Sequence, residues 1–268
     1  MCTTSSAEFR VGSHIQERER ELLNKLPGVL DTAETRGPLF VMIQIHYWPM
    51  LGRAGALIRM CAEAGVDYTH STAADPQSTI ELLAPHLAAL GGKVTNFAPP
   101  LVVDGNICVS QSVAATAYLG ERFGFTENIS IMAVAVQYCL DLHDFFSSFV
   151  QSDGMSVLNP AQLKRWIEGE RCASMLEMFE EQIVGPFYFG DKFTFVDFFA
   201  CQVVTLLDAR VLGPLETVSV ALLDKSTKLR EVSNRIAALP SAASIKAPVA
   251  LGEYCLGADA VEEYRCAK

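Results

Sequence analysis

Tyr47 closes an apolar run at residues 39–48, and Arg53 follows six residues on, after a short Pro-Met-Leu-Gly turn. A buried strand is well served by Val and Ile, whereas a tyrosine adds a hydroxyl that must find a partner or do a job. Two readings stand open at this point: a strand-end aromatic with a solvated hydroxyl, or a phenol aimed at a reacting atom. Further along, Gln111-Ser112 opens a helical segment, where unpaired N–H groups and the macrodipole favour an anion. The alternative there is that Ser112 serves as an N-cap. The eight cysteines, at 2, 61, 108, 139, 172, 201, 255 and 266, form no C-x-x-C pair and no Cys/His cluster at zinc-ligand spacing. They read as free thiols in a reducing compartment, and no metal is expected. His143 has no ligand companion four residues on and reads as a surface or interface residue.

These residues must be held by something. The run "LFVMIQIHYW" suits a strand buried on both faces, "RAGALIRMCAEAG" a helix ending at Gly65, and "VDYTH" a second short strand. A helical pattern follows in "PQSTIELLAPHLAAL". In "APPLVVDGNICVSQS" two apolar runs flank Asp104-Gly105, the dipeptide favoured in tight hairpins, and "QSVAATAYLGERFG" reads as a helix. Residues 39–124 thus read as strand, helix, strand, helix, hairpin, helix, an α/β unit with a mixed sheet. Beyond "FTENIS" there is no strand-like alternation, and helices are expected at about 130–152, 160–184 and 195–210, with shorter ones to about 245. Thr194 and Asp197 have the spacing of a capping box. The organisation predicted is an extension at 1–38 carrying one solvated helix, an α/β domain at 39–124 and an all-helical domain at 127–268.

Half of the 268 residues are hydrophobic and 19% are charged, which suits packed domains. The net charge of -10 argues against a nucleic-acid binder, which needs a basic face to neutralise phosphates, so no nucleic-acid partner is expected. The apolar stretches are shorter than the roughly 20 residues of a membrane span, and the first residues lack an apolar signal core. A soluble cytoplasmic protein with no membrane partner is the default.

Three segments resemble one family. "HYWPMLGRAGALIRM" is similar to the strand-to-helix segment of cytosolic glutathione S-transferases, "APPLVVDGNICVSQS" to their Pro-x-Leu-x-x-Asp-Gly hairpin ending in Gln-Ser, and "YFGDKFTFVDFF" to the segment opening a buried helix of their C-terminal domain. The matches keep their order over about residues 39–245. They imply the tyrosine type, akin to the sigma, alpha, mu and pi classes: a thioredoxin-like N-terminal domain followed by a helical-bundle domain. Two departures stand beside them. Gly55 occupies the place of a common Glu after Gly-Arg-Ala, and the segment from Tyr68 to Pro99 is longer than usual.

The resemblance implies glutathione as cosubstrate, a small hydrophobic electrophile as second substrate, and a homodimer. A cysteine thiol has a pKa near ~8.5, and lowering it by two units takes roughly 2.7 kcal/mol of selective stabilisation of the anion. By resemblance, Tyr47 donates a hydrogen bond to the thiolate, and Arg53 adds positive potential. Pro99 takes the place of the cis-proline, with Pro100 also available, and Ala98 is then the backbone contact for the cysteinyl unit. Gln111 and Ser112 receive the γ-glutamyl carboxylate, Lys93 is the candidate for the glycyl carboxylate, and Asp144 crosses a dimer interface to the partner's glutathione amine. Beside conjugation stand isomerase or peroxidase chemistry with the same thiolate, and a non-catalytic binding or scaffold role on the same fold.

Overall fold

A computed structural model describes residues 42–47, 51–72, 99–105, 107–149, 160–207 and 226–245. The N-terminal helix expected within residues 1–38, the helix expected in "PQSTIELLAPHLAAL", Lys93 and Ala98 lie outside the described residues.

Strand β1 (Ile43–Tyr47) leads through a 3-10 turn (Gly52–Ala54) into α1 (Gly55–Glu63), and β2 (Tyr68–Thr72) follows. The hairpin of β3 (Leu101–Asp104) and β4 (Ile107–Ser110) precedes α2 (Ser112–Phe123). The sheet runs β2-β1-β3-β4, with β1 and β2 parallel and the other neighbours antiparallel. This is the mixed sheet of a thioredoxin-like domain. Ile43, Ile45 and Tyr47 are buried, whereas Gln44 and Met42 are exposed, so the start of β1 is covered on one face instead of the expected two. Past the end of α1 and its C-cap Ala64, Gly65 has a φ of 64°, the left-handed conformation expected there. At the hairpin, Gly105 has a φ of 58°, and the Asp104 carboxylate accepts hydrogen bonds from the Tyr118 hydroxyl at 2.8 Å and Arg122 Nε at 3.0 Å. That carboxylate fixes the hairpin to α2.

The second half is helical: α3 (Met132–Ser147), α4 (Pro160–Ile167), α5 (Glu170–Gln182), α6 (Phe195–Leu206) and α7 (Thr227–Ala237). The single helix expected at 160–184 is two, because Gly169 takes an extended conformation at the N-cap of α5, a position where glycine's poor helix propensity costs nothing. Aromatic side chains hold the bundle: Phe145 meets Phe149 and Phe179 edge-on at 5.1 and 5.3 Å, and Phe149 meets Trp166 at 6.0 Å. Each such buried ring contributes roughly 1.5–3 kcal/mol of hydrophobic stabilisation.

Helix α6 is buried on nearly every side, packed by α7 and α3 and reaching α1 and α2. Its capping box forms as the Thr194/Asp197 spacing predicts. Asp197 Oδ2 accepts from the Thr194 N–H at 2.7 Å and its hydroxyl at 2.9 Å, and Oδ1 accepts from the Tyr188 N–H at 2.9 Å. Burial pushes the Asp197 carboxyl up to about 6, against the lowering effect of those hydrogen bonds. The N-terminus of α7 is capped in trans: Glu180 Oε1, from α5, accepts from the Ser226 hydroxyl at 2.9 Å and the Lys228 N–H at 2.8 Å. The core therefore runs without a break from the sheet side, through α1, into the bundle.

Candidate active site

Strand register decides which of the candidate residues meet. His46 is opposite Leu101, and Leu101 is opposite Ser110, so these three form one row across β1, β3 and β4. One residue beyond that row on each strand, at the same sheet end, stand Tyr47, Pro100 and Gln111. Two strand spacings separate the first from the last, about 10 Å.

Within this end the peptide bond between Pro99 and Pro100 is cis. The cis residue is Pro100, one position later than the sequence reading placed it. The residue before it is therefore Pro99 and not Ala98, and Pro99 offers a carbonyl but no N–H.

The tyrosine is 4% exposed, and its ring packs over the turn that follows. Gly52 has a φ of 38°, and a Cβ there would lie 2.4 Å from Tyr47 Cε1 and 2.8 Å from Oη, so glycine is required for both conformation and space. The Arg53 main-chain N–H donates to Tyr47 Oη at 3.0 Å. That bond occupies a lone pair of the phenol and not its proton. Arg53 thus meets the hydroxyl through its backbone, a contact the sequence does not announce. Its guanidinium lies over the Phe146 ring, 5.9 Å from the centroid, a cation–π contact reaching from the turn to α3.

On α3 the imidazole of His143 is half-buried, and burial, then the Arg53 guanidinium, push it below its ordinary value while Asp144 opposes them. The residue read as surface or interface is thus electrostatically coupled to the turn after Tyr47. Asp144 itself is exposed on α3.

At the far side, Gln111 has φ 72° and ψ 130°, a conformation that costs a non-glycine residue on the order of 1–3 kcal/mol. It holds the N-cap position, and Ser112, 4% exposed, is the first helical residue. Among the described residues no side chain caps this terminus, so the reading of Ser112 as an N-cap is replaced by one in which the first-turn N–H groups face the sheet end. Gln111 is held by its carbonyl, which accepts from the Ala115 N–H at 2.9 Å.

One further contributor was not anticipated. Gln202, 2% exposed on α6, donates from Nε2 to the Gly52 carbonyl. Its signal in the sequence is a lone amide inside the otherwise apolar "FFACQVVTLL". Among the described residues, Cys61, Cys108, Cys139, Cys172 and Cys201 form no disulfide, and burial pushes the Cys61 thiol up to about 12 and Cys108 to about 11, away from thiolate character.

Comparison with known proteins bears on the fold. Residues 141–246 match the family model of the glutathione S-transferase C-terminal domain. The helical half of the chain thus matches the C-terminal domain of glutathione S-transferases. The fold of the chain is similar to the pi-class glutathione S-transferase of Onchocerca volvulus, with a TM-score of 0.54 and 15% identity over 84% of this chain and 94% of that one. Rat hPGDS in complex with a quinoline gives 0.53 with 18% identity, covering 75% and 94%. Prostaglandin synthase D of Nilaparvata lugens gives 0.53 with 15% identity, covering 76% and 96%. A curated relative, S-crystallin 4 of Enteroctopus dofleini, is 24% identical over 170 residues, 57% of this chain and 75% of that protein. Among the described residues no helix is long and apolar enough to cross a membrane.

Proposed function

We propose that this chain binds glutathione along the sheet end formed by Tyr47, Pro99-Pro100 and Gln111-Ser112, ionises its thiol against Tyr47, and transfers it to a small hydrophobic electrophile. The observation that carries the reading is the shared register: the backbone positions of Tyr47 and of Gln111, which opens an uncapped helix N-terminus, lie two strand spacings or about 10 Å apart, the span of an extended tripeptide.

The terminus of α2 receives the γ-glutamyl carboxylate, with Gln111 held in a strained conformation that aims its backbone at the ligand. The cysteinyl unit lies against the Pro99 carbonyl, and its sulfur reaches Tyr47. There the phenol donates to the sulfur while the Arg53 N–H donates to the phenol; each bond polarises the next, so the proton leaves sulfur at lower pH than in water. Ionisation and proximity are the main catalytic devices. Arg53, held over Phe146, adds positive potential near the thiolate, and Asp144 reaches the glutathione amine of a partner subunit in a homodimer. Lys93 remains the proposed contact for the glycyl carboxylate.

The test is conjugation of glutathione to a chloronitrobenzene by the wild type and Tyr47→Phe, with glutathione affinity followed by calorimetry. A loss of rate of at least tenfold with affinity kept assigns Tyr47 the thiolate role. Equal rates in the two proteins overturn it. The similarity to a protein named S-crystallin favours a second reading, a transferase fold serving as a non-catalytic binding or scaffold protein. Binding of glutathione with no turnover of any electrophile tried by either protein supports that one.

A further inference from the structure

The Gly52–Arg53 peptide group is bonded at both ends. Its carbonyl accepts from Gln202 Nε2, and its N–H donates to Tyr47 Oη at 3.0 Å. One rigid amide plane therefore joins a side chain of the bundle's central helix to the phenol at the sheet end. A hydrogen bond to an amide oxygen polarises the amide and strengthens its N–H as a donor, so the effect passes through the plane to the tyrosine oxygen.

Folding alone gives α6 no reason to carry this amide. A leucine or methionine would fill the same volume without the desolvation cost of a buried carboxamide. That cost is real here, because Gln202 Oε1 is buried with no hydrogen-bond partner among the described residues. The space is also kept open: a Cβ on Gly55 would run into Gln202 Oε1 at 1.6 Å. Gly52 thus clears room for the phenol and Gly55 for the amide, three residues apart on the same turn.

We propose that Gln202 is a positioning residue that tunes Tyr47 through the Gly52–Arg53 peptide, so that the helical half of the chain sets how strongly the tyrosine stabilises an anion. The inference rests on the reading that Tyr47 stabilises the glutathione thiolate, but the relay itself is measurable on the tyrosine alone. The N–H bond stabilises the phenolate, so weakening the relay raises the pKa of the phenol.

The experiment uses full-length chain labelled with carbon-13 at the tyrosine ring carbon bearing the hydroxyl, with the Tyr47 resonance assigned by its loss in Tyr47→Phe. Titration of the wild type, Gln202→Met and Gln202→Glu follows. Gln202→Met removes the donor, and the Tyr47 pKa is expected to rise by about 0.5 to 1 unit. In Gln202→Glu, burial keeps the carboxyl neutral and able to donate, and the wild-type value is expected to return. An unchanged Tyr47 titration in Gln202→Met, with the fold intact by circular dichroism, overturns the relay.

A second readout is the pH profile of conjugation. In Gln202→Met it is expected to move up by the same amount, giving a roughly threefold to tenfold loss of kcat below the thiol pKa that higher pH restores, with KM for glutathione unchanged. In the Tyr47→Phe background the same substitution is expected to do nothing further; equal losses in both backgrounds would make Gln202 only a latch between helices and overturn the proposal. Should Tyr47→Phe leave the conjugation profile unmoved while the tyrosine resonance still responds to Gln202, the relay stands and the thiolate reading of Tyr47 fails.

Discussion

Gly52 and Tyr47 are in such close contact that residue 52 cannot gain a side chain while the ring is in place: the ring lies where that side chain would have to go. Gly52→Ala combines that collision with an unfavourable φ of 38°, and we expect a loss of about 1–3 kcal/mol of stability together with displacement of the phenol and at least a tenfold loss of conjugation. Gly65→Ala is the control. Its φ is 64° but nothing lies within 4 Å of the new Cβ, so a cost of about 1 kcal/mol with activity retained is expected. Urea unfolding and steady-state kinetics on both variants check the contrast; equal activity losses would contradict it.

Gln111 pays for its place in conformational strain. Gln111→Gly relieves an unfavourable backbone at φ 72°, offset in part by the greater entropy of an unfolded glycine, and should stabilise the chain by about 1 kcal/mol. The same change loosens the terminus of α2, and glutathione affinity should fall about tenfold. Thermal unfolding and calorimetry measured on one preparation separate the two effects. A variant both less stable and equally tight would show that the strain has no part in binding.

Much of this arrangement is legible in the sequence, and the remainder is not for identifiable reasons. Alternation and turn chemistry place β1, the Asp104-Gly105 hairpin and the helix after Ser110, because these depend on near neighbours. The Thr194/Asp197 box is readable for the same reason. The cis bond fell one residue late because two adjacent prolines satisfy the same local pattern, and only the register of β3 distinguishes them. The break at Gly169 was hidden by helical composition on both sides. Gln202 could not be paired from sequence, since its partner lies 150 residues away and is a backbone carbonyl, which leaves no mark in residue type. His143 escaped because its environment is set first by burial and then by Arg53, both products of tertiary packing.

The buried Asp197 gives the pH dependence a definite sign. Its folded carboxyl is pushed up to about 6, above the ordinary value of 3.8, so between those limits the folded chain holds a proton that the unfolded chain has released. Its contribution is fully present below the unfolded value and is lost as pH rises through about 6, by up to about 3 kcal/mol. Urea unfolding from pH 4.5 to 7.5 should show this falling component in the wild type and not in Asp197→Asn, which is expected to be less stable throughout because the Thr194 N–H then faces an unsuitable partner. Parallel pH curves for the two proteins would contradict the assignment.

The central claim is that Tyr47 ionises a thiol. Its most direct test is titration of the near-ultraviolet thiolate absorbance of glutathione bound to the wild type and to Tyr47→Phe, with both proteins saturated. Half-ionisation about two pH units below the free thiol value of ~8.5 in the wild type, and within about half a unit of it in Tyr47→Phe, is the predicted result. The same titration midpoint in both proteins, at any pH, would contradict it.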